Sequence, residues 1–211
     1  MLARRLVQLY AGLVLYGASA SLIILSALGN DPWDVLHQGL SRQTGIGTGL
    51  WVCIAGALVM VLWIPLRQRP GLGTLSNVVV IGLVMELCLA ALEPARGPAE
   101  RWTLLASGVL LNGMATGLYI GANFGPGPRD GLMTGLAARG LSLRAVRTGI
   151  ELTVLAGGIA LGGTAGIGTV IYALAIGPLA HVFVPAFTIA QAPVAAAAGP
   201  LASASAQAPS R

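Results

Sequence analysis

Charge is what this chain most conspicuously lacks. Only 9% of its 211 residues are charged, and there is no lysine at all. A soluble globular domain carries about 25% charged residues, so a water-soluble fold is excluded. The twelve arginines stand singly or in pairs between apolar runs, a distribution that reads as membrane topology and leaves no basic patch for nucleic acid. Cysteine is almost absent too. Cys53 and Cys88 are isolated in apolar stretches, without a CxxC or a zinc-ligand spacing, so neither a redox pair nor a metal site is expected. No HExxH occurs, the two histidines are far apart, and no serine sits in a nucleophile context. The expectation is therefore a protein that is not an enzyme and uses no cofactor.

What is present is apolar: 55% of the residues, with a mean hydropathy of +0.81. Six apolar stretches, about 6–28, 49–66, 75–92, 102–122, 147–161 and 170–189, approach the roughly 20 residues that cross a bilayer as a helix. The fifth is the weakest, holding Glu151 and five glycines between Gly149 and Gly163. Trp51, Trp63 and Trp102 fall near predicted span ends, where indole rings favour the interface. The start of the chain has signal-peptide features, but its apolar run continues to Leu28 and is expected to be retained as a first helix. With the N-terminus inside, nine arginines fall on the cytoplasmic side, and Arg42, Arg96 and Arg101 on the other. The bias predicts a multi-pass membrane protein with both termini cytoplasmic. Residues 1–190 are expected to form the membrane domain. Residues 191–211, rich in Ala, Pro and Ser, are expected to form a disordered tail.

The chain also matches itself at an offset of about 96 residues. Gly12 meets Gly108, Gly17 meets Gly113, and Gly29, Pro32, Asp34 and Gly39 meet Gly125, Pro128, Asp130 and Gly135. With one residue of slippage, Gly71-Leu72-Gly73-Thr74 meets Gly166-Ile167-Gly168-Thr169. These residue types specify backbone geometry, so shared apolar composition does not explain the match. Each repeat (about 6–92 and 102–189) holds three predicted spans, and an odd number reverses the second copy. The fold class expected is an all-α polytopic membrane protein of about six transmembrane helices in two inverted three-helix repeats.

Four motifs carry candidate chemistry. Asp31-Pro32-Trp33-Asp34 and Gly127-Pro128-Arg129-Asp130 read as helix starts, with Asp31 or Gly127 as N-cap and Pro in the first turn. The helices that follow, about 33–41 and 129–139, are too short to span. Capping alone accounts for the Asp and Pro residues. The functional reading is a pair of half-helix ends facing a shared cavity, able to hold an anionic group, with Asp31, Asp34, Arg129 and Asp130 as substrate-binding candidates. The Gly-x-Gly-Thr segments read as tight turns with Thr as N-cap, since neither a P-loop lysine nor a preceding strand is there. Glu86 and His181 are equivalent in the repeats, each about eleven residues beyond the Thr. At 1.5 Å per residue this is roughly 16 Å deep from opposite faces, so they are candidates for a midplane pair linked to protons or substrate. Arg147 and Glu151 are four apart and read as a salt-bridged helix start. Gly113, Gly117 and Gly121, and Gly158 with Gly162, read as helix-packing stripes.

At these paired motifs the chain resembles the YitT/YczE-type family of bacterial integral membrane proteins. The stretches that carry the resemblance are GNDPWDVLHQGL, PGLGTLSN, GPGPRDGLMTGL, RTGIELTVL and GIGTVIYALAIGP. The soluble C-terminal domain of YitT-like members has no counterpart in this sequence, which places it nearer the YczE-like branch. The resemblance implies a multi-pass protein of the bacterial cytoplasmic membrane and supplies no catalytic residues. Two functions compete: a small-solute transporter or exporter, and an accessory or scaffold protein serving a biosynthetic or export machine. The partners expected are the lipid bilayer and an unidentified small solute. Assembly as a homo-oligomer is left open.

Overall fold

The computed structural model describes residues 1–189, and the predicted tail lies outside them. Among the described residues, eight helices follow one another: α1 (Leu2–Ser26), α2 (Pro32–Thr44), α3 (Thr48–Leu66), α4 (Leu72–Ala91), α5 (Pro98–Gly121), α6 (Pro128–Ala137), α7 (Leu143–Ala160) and α8 (Ile167–Phe187). Five of them, α1, α3, α4, α5 and α8, are long and apolar enough to cross a membrane. They match five of the six predicted stretches. The remaining one is α7, whose first turns carry Arg144, Arg147 and Glu151. Large apolar side chains such as Leu58, Ile64, Leu87 and Leu174 are exposed, as expected where the outer face meets lipid rather than water.

Equivalent positions of the two sequence repeats make equivalent contacts. At the crossing of α1 and α5, a Cβ on Gly12 would meet Tyr119 and Ala115, and a Cβ on Gly108 would meet Ile23 and Ser19. Gly17 receives Ile81 and Val84 of α4, while Gly113 receives Leu179 of α8. The loops interlock in the same manner. Gly73 donates its N–H to Phe124 O (2.9 Å) and Gly168 to Leu28 O (2.8 Å). Gly29 and Gly125, at φ +119° and +111°, hold a conformation that any Cβ would strain. Arg42 reaches Gly162 O beyond α7, and Arg139 reaches Pro65 O in α3. Each half thus closes helix ends belonging to the other.

The two short helices are buried rather than superficial. In α2, Gly39 lies against Gly158 and Leu161, and Gly158 in turn against Val35 and Leu36. In α6, Gly131 and Gly135 lie against Trp63, Leu66 and Gln68 at the end of α3. Trp63 is therefore no interfacial anchor. It is 2% exposed, and its Nε1–H donates to Pro128 O at 3.0 Å, fixing the start of α6. The α5 stripe packs as expected, with Gly113, Gly117 and Gly121 against Leu179, Phe183 and Phe187. In the second stripe only Gly158 is a contact. A Cβ on Gly162 would meet nothing within 4 Å, and the residue follows the end of α7 at φ +89°.

Candidate functional site

The Gly-x-Gly-Thr segments start helices earlier than the sequence suggested. Gly71 and Gly166 are the N-caps, which leaves Thr74 and Thr169 at the third helical position. Each Thr hydroxyl accepts its own N-cap N–H at 3.2 Å, closing the turn from inside. A third Gly-x-Gly-Thr run, Gly45-Ile46-Gly47-Thr48, behaves differently. Gly47 caps α3, and Thr48 is already helical.

That shift decides the fate of Glu86. With α4 starting at Leu72, Glu86 lies about 20 Å along the helix axis, level with the start of antiparallel α3. Its Oε2 accepts the N–H groups of Gly49 (2.8 Å) and Leu50 (3.3 Å), supplying the cap that Gly47 lacks. A carboxylate suits the positive end of the α3 dipole. His181 is exposed on α8. The structure does not bring Glu86 and His181 together at a midplane site, and neither lines the central cavity.

The Pro-x-Asp residues do converge. Asp31 is the N-cap of α2, and its Oδ1 accepts the N–H groups of Trp33 (2.8 Å) and Asp34 (3.1 Å). This end of the half-helix is filled by its own carboxylate and is closed to an external anion. Asp34 does not cap. Its Oδ1 lies 3.0 Å from His37 Nδ1. Asp130, the matched residue, does not cap either; its Oδ2 accepts the Tyr119 hydroxyl at 3.0 Å. Asp130 has turned to a contact with another helix, while Asp34 bonds one turn along its own.

Arg129 joins the halves. Its Nη1 lies 3.7 Å from Asp31 Oδ1 and its Nη2 3.8 Å from Asp34 Oδ1. The guanidinium carbon stands 4.9 Å from the centroid of the Trp33 ring, within cation–π range. Those carboxylate side chains are 7% and 5% exposed, and little water competes for the charge. Asp31 lies in the connection before α2. Burial, then the neighbouring Asp34, push its carboxyl up to about 7, against the pull of Arg129. His37 is buried, and its Nδ1–H donates to the Asp34 carboxylate.

Between these elements is a cavity of about 220 Å³. Both Pro-x-Asp segments line it, through Asp31, Pro32, Trp33, Pro128, Arg129 and Asp130. Tyr16, Tyr119 and Tyr172 supply aromatic walls, with Asn77 and Thr116 beside them. Asp130 and Ile120 also border a second depression that includes Asn123, Gly125 and Pro126. A buried chain holds the aromatic wall: Tyr172 OH donates to Asn112 Oδ1 (2.9 Å), and Asn112 Nδ2 to Ser19 Oγ (3.0 Å). Among the described residues, no three His, Cys, Asp or Glu side chains cluster closely enough to hold a metal.

Sequence reasoning missed several members of this site. The three tyrosines and Asn77 carried no motif, although Asn77 and Tyr172 are themselves a matched pair at an offset of 95. Arg147 and Glu151 form the expected ion pair, at 2.8 Å. They also line the cavity, which the helix-start reading did not include.

Across 3–185, almost the whole described chain, the sequence matches a single family model, described as a family of unknown function, DUF6198. The chain belongs to DUF6198. A Haemophilus influenzae protein titled only "Uncharacterized protein" is 41% identical over 172 residues, covering 81% of this chain and 79% of its own length. The "Uncharacterized membrane protein YczE" of Bacillus subtilis is 35% identical over 182 residues, covering 83% of each. The same organism's "Uncharacterized protein YyaS" is 31% identical over 181 residues, or 82% of this chain and 89% of its own. The YczE-like affinity read from the motifs therefore holds over most of the chain. With its apolar helices, this DUF6198 member is a multi-pass membrane protein. No solved structure matches it.

Proposed function

We propose that this DUF6198 protein is a small-solute transporter whose substrate site is the cavity between the two Pro-x-Asp helices. The observation that carries the reading is the Arg129 bridge to Asp31 and Asp34. One cavity wall is closed by a charge contact between equivalent segments of the two repeats, where a rearrangement of one half against the other would open it. Inverted repeats with broken helices and a site at the repeat interface are a recurring transporter architecture. The reciprocal loop contacts support that architecture here. In this reading α7 crosses the membrane as the sixth span, α2 and α6 enter it as half-helices from opposite sides, and both termini are cytoplasmic. The protein sits in the bacterial cytoplasmic membrane, and no catalytic step is involved. Architecture alone does not fix function, so the test must be flux. Purified protein in liposomes is expected to take up or release a solute that also raises its melting temperature in detergent. Protein that binds no member of a panel of amines, amino acids, organic anions and amphiphiles, and moves none, would be serving as an accessory protein instead.

A further inference from the structure

The two halves of the cavity wall correspond in sequence and differ in packing. At an offset of 95 residues, Val52 and Gly56 of α3 match Arg147 and Glu151 of α7, while Ile81 and Gly82 of α4 match Ile176 and Gly177 of α8. All of these but Gly82 line the cavity. In the first half the two helices are packed on each other. A Cβ on Gly82 would meet Cys53 Sγ and Gly49 O, and one on Gly56 would meet Val78. Ile81 and Gly82 are buried. In the second half the corresponding helices stand apart. α7 and α8 have no comparable packing, and a Cβ on Gly177, or on Gly149 of α7, would meet nothing within 4 Å. Gly177 is exposed and Ile176 half-buried.

Two further features belong to the open pair. Arg147 and Glu151 border the gap from α7, and Gly177 and Ala180 from α8. The two charged side chains are 56% and 33% exposed, and ionisable groups within a span are held where water reaches them. Pro178 follows Gly177 inside α8, whereas α4 has no internal proline. A proline there removes a backbone hydrogen bond and lets the helix bend. The bend falls at the level of the cavity, beside the glycine whose counterpart Gly82 seals the first half.

We propose that α3–α4 and α7–α8 are two gates of the cavity that close alternately. In the arrangement seen here α3–α4 is shut and α7–α8 is open. In the other, bending of α8 at Gly177-Pro178 brings Gly177 against Thr148, the counterpart of Cys53, while α3 parts from α4. Rocking of one repeat against the other exchanges the two arrangements. With both termini cytoplasmic, as proposed above, the gap faces the cytoplasm and the packed pair seals the opposite side. This deepens the transporter reading and rests on it for the claim that a solute uses the cavity. The paired motion is measurable without one.

The test uses the full chain in nanodiscs, with Cys88 replaced by Ser and native Cys53 kept as a reporter on α3. Thr148→Cys and Gly177→Cys are introduced together and oxidised, and peptides are mapped by mass spectrometry. A disulfide holds its Cβ atoms about 3.8 Å apart, whereas a Cβ at Gly177 has nothing within 4 Å here, so the 148–177 bond forms only in the second arrangement. Once it has formed, Cys53 should react with a water-soluble maleimide about tenfold faster than in the reduced protein, because its cover on α4 has moved away. Gly177→Leu fills open space, so it should melt as the parent does, yet it obstructs the second arrangement and should slow the labelling of Cys53. Failure of the 148–177 disulfide to form, or its formation with Cys53 reacting no faster, overturns the proposal. So does Gly177→Leu with Cys53 labelled at the parental rate. Should either variant give no folded protein, the other decides. Liposome flux of the solute panel named above separates the two claims. Coupled Cys53 reactivity in a protein that moves none of the panel keeps the alternating gates and removes the transporter. Flux undiminished by the disulfide keeps the transporter and removes the gates.

Discussion

Replacing Arg129 with Gln asks whether charge holds the two halves of the cavity together. The guanidinium nitrogens lie 3.7 and 3.8 Å from Asp31 and Asp34. At an effective dielectric constant of about 20, a unit-charge pair at that separation attracts by about 4 kcal/mol. Much of this is offset by the desolvation of Arg129 itself, whose side chain is 25% exposed. The asymmetry appears on removal. Two nearly buried carboxylates would be left side by side without a cation, and breaking such a pair costs about 3–5 kcal/mol. Asp34 keeps His37 and Asp31 keeps two backbone N–H groups, so the lower end is expected, about 3 kcal/mol. The measurement is reversible unfolding in mixed detergent micelles at pH 8, where Asp31, with a pKa of about 7, is ionised. A second substitution fixes the cause. Asp34→Asn should destabilise the parent and partly restore Arg129→Gln, because in that background it removes an unpaired buried charge. A loss below about 1 kcal/mol for Arg129→Gln, the size expected of an exposed pair, would refute the reasoning and detach the bridge from the stability of the site.

Four further outcomes are expected. Cysteines placed at Gln43 and Arg139, both exposed, in a background without Cys53 and Cys88, should react with impermeant reagents from opposite sides of the membrane; labelling of both from one side ends the inverted arrangement. Glu86→Gln should weaken the α3 cap by about 1 kcal/mol and leave binding of any cavity ligand unchanged, since Glu86 lies outside the cavity; altered affinity would return Glu86 to the site. Gly131→Ala would put a Cβ 2.0 Å from the Trp63 ring and should cost about 1–3 kcal/mol by overpacking, while Gly149→Ala, with open space around it, should stabilise α7 by about 0.5–1 kcal/mol; equal effects would contradict the α3–α6 packing. Asp31 binds its proton more tightly folded than unfolded, so its contribution favours the folded state less as pH rises from about 4 to about 7 and is flat above; unfolding in micelles across that range should lose this slope in Asp31→Asn.

Periodicity and composition were enough to locate the helices, because apolar runs near bilayer length and Pro-initiated starts are local signals. Asp31 with Pro32 at the head of α2 and Pro128 at the head of α6 stand where their spacing placed them. Errors arose where a side chain's bonding partner had to be named. Asp34 and Asp130 have the position of capping residues and bond His37 and Tyr119 instead. Glu86 was read against His181 and instead caps α3, a helix 37 residues away in sequence. Trp63 was read as an interfacial ring and instead bonds Pro128 O. For Asp130, Glu86 and Trp63 the partner lies on another element, and no spacing within one helix encodes which element that is.

The self-match of the sequence carried more of the site than any single motif, and its mismatches carry more chemistry than its matches. Gly12 with Gly108, Gly17 with Gly113, and Gly29 with Gly125 coincide because each makes room for backbone or for a neighbouring helix at equivalent crossings. Conserving the residue type there conserves only shape. The positions that differ are Asp31 against Gly127, Trp33 against Arg129, and His37 against Met133. Every one of the first-half members touches the charge network, by capping α2, by standing under the guanidinium, or by donating to Asp34. Their second-half counterparts leave Asp130 with Tyr119 as its hydrogen-bond donor. Two interlocked halves of similar shape thus border a cavity with two carboxylates bridged by Arg129 on one side and one carboxylate bonded to Tyr119 on the other. That asymmetry is legible in the aligned sequence once the cavity shows which side chains face each other.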